Sequence, residues 1–324
     1  MEIIKLSEPY QSSQLPKAPS VLALGFFDGV HLGHQKVIKT AKKIARERGL
    51  KLAVMTFDRQ PKLMYQKHPK PALYLTLLAR KLELFEQLGA DIAYVVTFDE
   101  HLASMGPQEF VDKYMVGLSA QVVVAGQDYT YGKKELANME TLPSFAQGRF
   151  DIVAVDHLVL AASTSKVGST AIRAYLDQGQ VDQANELLGY PFQTKGLVVH
   201  GFARGRTIGF PTINLEIDPS QHLPAPGVYA TQVELLGQTY LGMASVGYNE
   251  TFGDNFDLTV EIYLLDFAKD VYGQEATVAW YHWLRPMVKF ASVAELIDQL
   301  KADEAAVRQY FANQTEKWTR PLTA

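Results

Sequence analysis

The chain has 324 residues, is 47% hydrophobic, carries a formal net charge of −4 and contains no cysteine. The lack of cysteine excludes disulfides, thiolate nucleophiles and cysteine-ligated metal centres, so any metal must be held by oxygen or nitrogen. Interspersed charges argue against nucleic acid as a partner, and the lack of a run of about 18 apolar residues or of a basic-then-apolar start argues against a membrane span or secretory signal. We therefore expect a cytoplasmic protein, long enough for two domains, whose composition carries no signal for an oligomeric state.

Short apolar runs alternate with helical patterns through the first half of the chain. The strand-like runs are 21–24, 52–55, 92–96, 122–124 and 152–155, and helical patterns begin near Gly33, Thr76 and Pro107. Such alternation predicts a doubly wound parallel sheet of the Rossmann-like α/β class. Ligands of these folds bind at the carboxyl ends of the strands.

Two histidines lie where the first predicted strand turns into a helix. The segment reads Gly25-Phe26-Phe27-Asp28-Gly29-Val30-His31-Leu32-Gly33-His34, and apolar residues then recur at helical spacing until Gly49. A helix N-terminus attracts anions through its unpaired N–H groups, histidines add directed donors, and glycines allow close approach of the backbone. The segment therefore predicts a phosphate site, although a lone pair of histidines at this spacing also suits a helix cap or polar surface.

Two further segments follow predicted strand ends and are expected to line the same crevice. They are Thr56-Phe57-Asp58 and Gly126-Gln127-Asp128-Tyr129.

The second half of the chain changes to a strand-dominated pattern. Two short helical patterns, 170–177 and 181–188, precede strand-like runs at 196–200, 212–217, 228–236, 240–246, 258–265 and 276–284. Glycine and proline turns separate these runs, which predicts a small antiparallel barrel of about six strands. The segment 292–311 has the apolar spacing of an amphipathic helix that closes the chain.

A glycine-spaced basic loop leads into one of the predicted barrel strands. It covers 201–214 and includes Gly205-Arg206-Thr207-Ile208-Gly209-Phe210-Pro211-Thr212-Ile213-Asn214. Such a loop can wrap a polyphosphate, and Thr212 and Asn214, two apart on a strand, face the same way and can share a metal or a phosphate. A hairpin with incidental arginines is the alternative.

Both long motifs resemble those of one protein family. The segment 25–34 is similar to the nucleotidyltransferase signature found in bacterial bifunctional riboflavin kinase/FAD synthetases, and 205–214 resembles the Gly-Arg-x-x-Gly-Phe-Pro-Thr-x-Asn signature of riboflavin kinases. Gly227-Val228-Tyr229, Glu261 with its strand and Leu284-Arg285-Pro286 match the kinase half as well. The resemblance implies an FMN adenylyltransferase domain at 1–186 and a riboflavin kinase domain at 187–324.

The resemblance implies roles for individual residues in the kinase half. Glu261 would be the catalytic base on the ribityl hydroxyl, Arg285 would lie near the flavin, and Thr212 and Asn214 would organise Mg²⁺ brought with ATP. The residues that would bind the nucleotide are Gly205, Arg206, Gly209, Pro211, Thr212 and Asn214. Without the resemblance, Glu261 suits a solvated outward position on its strand equally well.

In the adenylyltransferase half, the resemblance makes His31 and His34 catalytic donors to the phosphates of a second ATP, whether protonated or neutral. The residues expected to bind the nucleotide are Gly25, Phe26, Asp28, Gly33, Gly126, Asp128, Ser169, Thr170 and Arg173. The last three resemble a second phosphate motif, Ser-Thr-x-x-Arg. The same residues also suit a capped helix with a surface arginine. Riboflavin, FMN and FAD would be substrates or products.

This half also departs from the family pattern at four positions, namely Gln60, Thr130, Gly168 and Ala171, where cationic or hydroxyl side chains are common. Their loss is compatible with a slow adenylyltransferase. The bifunctional enzyme therefore has two alternatives. One is a kinase with a degenerate first domain, and the other is a non-catalytic flavin- or nucleotide-binding protein.

Overall fold

The computed structural model describes residues 1–11, 15, 18–61, 73–160, 166–201, 204–248 and 258–313. The chain forms two compact units. The first, called the sheet unit, is made of Met1–Ala72 and Thr76–Gly168; the second, called the barrel unit, is made of Leu73–Leu75 and Ser169–Arg320.

The sheet unit is built on six parallel strands. Its elements are β1 (Glu2–Leu6), β2 (Ser20–Leu24), α1 (Leu32–Arg48), β3 (Lys51–Phe57), α2 (Leu78–Leu88), β4 (Ile92–Val96), α3 (Glu100–Ser104), α4 (Pro107–Val111), a π-helical turn (Asp112–Val116), β5 (Ala120–Gly126), α5 (Leu142–Ala146) and β6 (Asp151–Val155). The strand order is β1-β4-β3-β2-β5-β6. The chain leaves β2 toward β3 on one side and later adds β5 on the other, so the end of β2 is a topological switch point.

Strand β2 and helix α1 illustrate why these residues form these elements. All five residues of β2 are buried, as expected for a central parallel strand covered on both faces. Helix α1 buries Val37, Ile38, Ala41 and Ala45 on one face, and Gly49 ends it with a φ of 65° that suits glycine. The predicted doubly wound sheet is confirmed.

The barrel unit contains a closed antiparallel barrel with helices before and after it. Its elements are α6 (Ser169–Leu176), α7 (Val181–Leu188), β7 (Phe192–Val199), a single turn α8 (Arg204–Thr207), β8 (Thr212–Ile217), β9 (Gly227–Leu235), β10 (Gln238–Tyr248), β11 (Leu258–Leu264), β12 (Glu275–Arg285) and α9 (Val293–Asn313). The strands close in the order β10-β11-β8-β7-β12-β9. The predicted six-stranded barrel and its closing helix are confirmed.

Alternation along the barrel strands separates an inner from an outer face. Val260 and Ile262 on β11 are fully buried inside the barrel, whereas Tyr263, between Ile262 and Leu264, packs outward with Phe210. Helix α9 covers this part of the outer face through a cluster that includes Phe210 and Val307. The outer face beside α9 is therefore the surface on which polar residues of β8 and β11 lie.

Two features of the fold were not anticipated. Strand β1 pairs in parallel with β4 at the sheet edge, and its mostly exposed residues give no apolar run. Helices α6 and α7 belong to the barrel unit by their contacts. The proposed functional division at 186/187 stays a prediction.

Candidate active sites

The turn after β2 is held in an unusual backbone conformation. Phe27, Gly29 and Val30 have φ values of 54°, 84° and 34°, so two residues with side chains occupy the left-handed region that favours glycine. A Cβ at Gly25 would lie 2.8 Å from the ring of Phe27, which explains the glycine there. Backbone strain of this kind persists where the surroundings determine it, and it is concentrated at functional sites.

The two predicted catalytic histidines lie together at the N-terminus of α1. His31 is the N-cap, and its Nδ1 accepts a hydrogen bond of 3.3 Å from the backbone N–H of His34. The two imidazole rings stack with centroids 3.5 Å apart, and a Cβ at Gly33 would lie 3.2 Å from the His31 ring. The Nδ1 of His34 is buried and has no hydrogen-bond partner within the described residues. The His31 imidazole thus caps the helix, while His34 has a buried ring nitrogen without a hydrogen-bond partner among the described residues.

Burial decides the charge of both histidines. It lowers the pKa of His31 to about 4 and that of His34 well below its ordinary value; nearby Lys166 adds to both effects and Lys81 to the second. With pKa values this far below the ordinary value, the folded chain favours neutral imidazoles at physiological pH. Neutral imidazoles can donate hydrogen bonds to phosphate oxygens, and the cations that influence them are Lys81 and Lys166.

Two other predicted residues of the turn, Asp28 and Phe26, form hydrogen bonds with residues near the start of α2 and at the end of β3. Asp28 Oδ1 accepts from the backbone N–H of Thr76 at 3.1 Å, and Thr76 Oγ1 accepts from the N–H of Gly29 at 2.9 Å. The Phe26 carbonyl accepts from Thr56 Oγ1 at 2.9 Å. Asp28 and Phe26 therefore stabilise the turn, and their contact with a nucleotide stays a prediction.

The segment after β5 carries an ion pair that includes Asp128. The Lys166 ammonium group contacts the Asp128 carboxylate directly, and His157 Nε2 lies 3.9 Å from the same carboxylate. Burial alone would raise the pKa of Asp128, but the contact with Lys166 outweighs it and lowers the pKa. A Cβ at Gly126 would lie 3.2 Å from Asp128 Oδ1. Lys166 carried no sequence signal and is a cation of this site that the sequence analysis missed.

The second predicted phosphate motif lies in the barrel unit, at the start of α6. Ser169 and Thr170 open this helix. Nε and Nη2 of Arg173 donate to the carbonyl of Leu73 at 3.1 and 3.0 Å, so the guanidinium group anchors the helix. A Cβ at Gly168 would meet no atom within 4 Å, which leaves room for the serine common in the family. A phosphate-binding role for this motif stays a prediction.

The basic loop of the barrel unit folds into a compact turn around Gly205. The backbone N–H groups of Ile208 and Phe210 both donate to the Gly205 carbonyl, at 3.2 and 2.9 Å. A Cβ at Gly205 would lie 2.1 Å from the Phe210 carbonyl oxygen, and Gly209 has a φ of 85°. Two glycines therefore allow the chain to turn sharply before β8 begins at Thr212.

A cavity of about 390 Å³ opens beside this turn. Of the predicted nucleotide-binding residues, Arg206, Pro211 and Thr212 line it, and the segment 267–272 forms the opposite wall. Arg206 Nη2 donates to the Tyr272 hydroxyl at 3.0 Å, and the Tyr272 ring stacks on His200 with centroids 3.6 Å apart. The cavity thus combines a cationic group, a hydroxyl and an aromatic wall.

The predicted base and one predicted metal ligand are cross-strand neighbours. Glu261 on β11 is the direct register partner of Asn214 on β8. Opposite residues of antiparallel strands project to the same face, with Cβ atoms about 5 Å apart. Glu261 is half-buried and alternates with buried Val260 and Ile262, which places it on the outer face. A Cβ at Gly201 would lie 2.2 Å from Asn214 Nδ2, so Gly201 makes space for this amide.

Arg285, predicted to lie near the flavin, is engaged with Asp303 on α9. Its Nε lies 3.0 and 2.9 Å from the two carboxylate oxygens, and Nη2 lies 2.7 Å from Oδ2. The side chains are only 17% and 5% exposed. Arg285 thus joins the end of β12 to α9, and contact with a flavin stays a prediction.

Comparison with known proteins matches the two units separately and the chain as a whole. Residues 13–171 match the family described as FAD synthetase, and residues 188–311 match riboflavin kinase. The bifunctional riboflavin kinase/FMN adenylyltransferase of Listeria monocytogenes is 47% identical over 96% of this chain and 99% of its own length. That of Bacillus subtilis is 42% identical over 97% and 99%.

A solved structure from Streptococcus pneumoniae, described as a macrolide-efflux protein, is 36% identical and superposes with a TM-score of 0.87. The match covers 97% of this chain and 100% of that one. In the part of the present chain that the structure describes, no helix has the length and apolar character needed to cross a membrane.

Proposed function

Since this chain belongs to the bifunctional riboflavin kinase/FMN adenylyltransferase family, we propose that its barrel unit carries the kinase site and its sheet unit the adenylyltransferase site. The chain phosphorylates riboflavin to FMN with ATP and adenylylates FMN to FAD. The observation that carries the assignment of the kinase site is the pairing of Glu261 with Asn214 on the outer face of the barrel. A cytoplasmic location stays a prediction.

In the kinase site, Glu261 acts as the general base. The nucleophile is the 5′-hydroxyl of the ribityl chain, and an alcohol attacks phosphorus poorly until its proton is taken. Glu261 accepts this proton as the hydroxyl oxygen bonds to the γ-phosphorus of ATP and the bond from that phosphorus to the bridging oxygen breaks. A half-buried carboxylate on an outward face suits this role because a bulky flavin can approach it.

The ATP lies in the cavity beside the Gly205 turn. Arg206 supplies positive charge, and the Tyr272 ring, which is held in place by stacking on His200, offers an aromatic wall to a planar base. Within the described residues no cluster of three or more His, Asp or Glu can hold a metal unaided. The side-chain oxygens of Thr212 and Asn214 fit Mg²⁺, a hard cation that keeps several waters and phosphate oxygens and needs few protein ligands. When bound, Mg²⁺ would neutralise charge on the transferring phosphates.

In the adenylyltransferase site, a phosphate oxygen of FMN attacks the α-phosphorus of ATP, and the bond from that phosphorus to the oxygen of the leaving pyrophosphate breaks. The nucleophile is already an anion, so no base is required, and the site must instead bring two anions together. Neutral His31 and His34 donate hydrogen bonds to phosphate oxygens, and Gly25 and Gly33 allow close approach.

A time course of the purified protein with riboflavin, ATP and Mg²⁺, resolved by chromatography and repeated from FMN, tests the assignment. We expect FMN first and FAD second in the first reaction, and FAD directly in the second. A His31→Ala, His34→Ala variant should form FMN at the wild-type rate and no FAD. FAD synthesis that survives in this variant would show that the adenylyltransferase site lies elsewhere. FMN that accumulates without FAD in the wild-type protein would favour a kinase with a degenerate sheet unit.

A further inference from the structure

Lys81 is a buried cation beside the turn that follows β2. It lies on α2 and is only 2% exposed, although lysines are almost never fully buried without a partner or a task. Its Nζ lies 3.4 Å from Thr56 Oγ1 and 4.0 Å from the centroid of the Phe26 ring. The ammonium group therefore lies directly against the segment that carries the predicted catalytic histidines.

A short hydrogen-bond relay connects Lys81 to the backbone of this turn. Lys81 donates to Thr56 Oγ1, and the Thr56 hydroxyl donates in turn to the Phe26 carbonyl at 2.9 Å. Phe26 precedes Phe27, the first of the residues held at positive φ. The relay thus orients the backbone just where the strained part of the turn begins.

The charges around Lys81 keep it cationic at neutral pH. Burial lowers its pKa, the carboxylates of Asp28 and Asp58 oppose that effect, and the pKa is about 8. His34, on the neighbouring helix α1, is neutral and is itself influenced by Lys81. Because the imidazoles are uncharged, this ammonium group is a main source of positive charge, and its effect on an anion is strengthened by the low dielectric of a buried site.

We propose that Lys81 is a positioning residue for adenylyl transfer, which holds the turn through Thr56 and Phe26 and supplies buried positive charge behind the place where His31 and His34 meet the nucleotide. The inference rests on the proposed location of the adenylyltransferase site. It assigns to α2 a part in the reaction that neither long sequence motif contains.

The test measures kcat/KM for ATP in FAD synthesis from FMN between pH 6.5 and about 9.5. For Lys81→Met, which keeps the length of the side chain, we expect a ten- to hundredfold decrease at neutral pH. The wild-type profile should fall above about pH 8 as Lys81 loses its proton, and Lys81→Met should lack this alkaline limb. Lys81→Arg stays charged, so it should exceed Lys81→Met in activity and also lack the limb.

Two controls separate this role from loss of folding. Riboflavin phosphorylation, which belongs to the barrel unit, should stay within about twofold of wild type in every variant. Lys43→Met, on α1 with a side chain 77% exposed, should leave both activities and the pH profile unchanged.

Wild-type FAD synthesis by Lys81→Met, or an alkaline limb that persists in both Lys81 variants, would overturn the proposal. If the double histidine variant loses FAD synthesis and Lys81→Met does not, the site is correctly placed and only the role of Lys81 is wrong. If the double histidine variant keeps FAD synthesis, the site itself is misplaced.

Discussion

The two proposed phosphate sites of this chain differ in the charge of the side chains that form them. In the sheet unit, burial keeps the pKa values of the two histidines low, and the cations that influence them are Lys81 and Lys166. In the barrel unit, the carboxylate of Glu261 is half-buried on an outer face, and Arg206 lines an open cavity. This difference matches the nucleophiles of the two proposed reactions. An alcohol needs a base, whereas a phosphate needs only hydrogen-bond donors and compensating positive charge.

The two turns also differ in what stabilises their backbone conformation. The turn after β2 places Phe27 and Val30 in the left-handed region, and it is secured because Thr56 donates to the Phe26 carbonyl and Thr76 accepts from the Gly29 N–H. The barrel turn instead needs glycine at position 205, where a Cβ would lie 2.1 Å from the Phe210 carbonyl oxygen, and the N–H groups of Ile208 and Phe210 close it by donating to the Gly205 carbonyl. The first turn is supported from outside by its neighbours, and the second by its own hydrogen bonds.

The largest expected effect separates the two chemistries. Glu261→Gln keeps the shape of the side chain but removes the base, so riboflavin phosphorylation should fall by at least about a hundredfold. FAD synthesis from added FMN should be unchanged, since that reaction needs no base. Both rates are measured by chromatography of the flavins. Glu234→Gln, an exposed glutamate on β9, is the matched control and should leave both rates unchanged. Near-normal phosphorylation by Glu261→Gln would remove Glu261 from the role of base.

The next effect tests the support of the barrel turn. A methyl group at Gly205 would be 2.1 Å from the Phe210 carbonyl oxygen, so Gly205→Ala must displace the turn. We expect kcat/KM for ATP in the kinase reaction to fall at least about tenfold, with FAD synthesis retained. Gly106→Ala, where the added Cβ would meet no atom within 4 Å, should leave both activities unchanged. A wild-type kinase rate in Gly205→Ala would mean that the turn is not needed in this shape.

The ion pair between β12 and α9 should contribute to stability. In Asp303→Asn, Arg285 loses a largely buried carboxylate, and the free energy of unfolding of the barrel unit should fall by about 2 kcal/mol. Urea unfolding followed by tryptophan fluorescence reports on this unit, through Trp280 and Trp283. Asp266→Asn breaks an exposed ion pair with Arg308 and should change little. Equal effects of both substitutions would contradict a special role for the Arg285–Asp303 pair.

The last prediction concerns the pH dependence of the stability of the sheet unit. The folded-state pKa values of His31 and His34 lie below the unfolded value of about 6.5, so the unfolded chain binds more protons in acid. Stability should therefore fall as pH drops from about 6.5 toward 4, by at most about 1.4 kcal/mol per pH unit for each histidine.

Amide hydrogen exchange of α1 and β2 measures this effect. The double histidine variant should show a shallower dependence on pH. An equal slope in the variant would mean that other groups are responsible.

The sequence by itself determined the architecture and marked the two glycine-containing turns at which phosphate binding is predicted. Periodicity gave the parallel sheet and the barrel, because apolar residues must repeat at the spacing of the element that buries them. Local signals marked Gly25, Gly33 and Gly205, and the structure shows that a Cβ at each would lie close to a neighbouring group, while their contact with a nucleotide stays a prediction. The edge strand β1 was missed because its exposed residues carry no such pattern.

Only the tertiary structure decided which charges meet. Lys81 on α2 contacts Thr56 and lowers the pKa of His34, although both are distant along the chain, and Lys166 contacts Asp128, 38 residues away. The pairing of Glu261 with Asn214 likewise depends on the register of two strands distant in sequence. The protonation state of His31 and His34 follows from burial, which is the sum of contacts from several elements. Local sequence specifies backbone conformation and apolar periodicity, whereas electrostatics depends on distances and desolvation that exist only once the chain is folded.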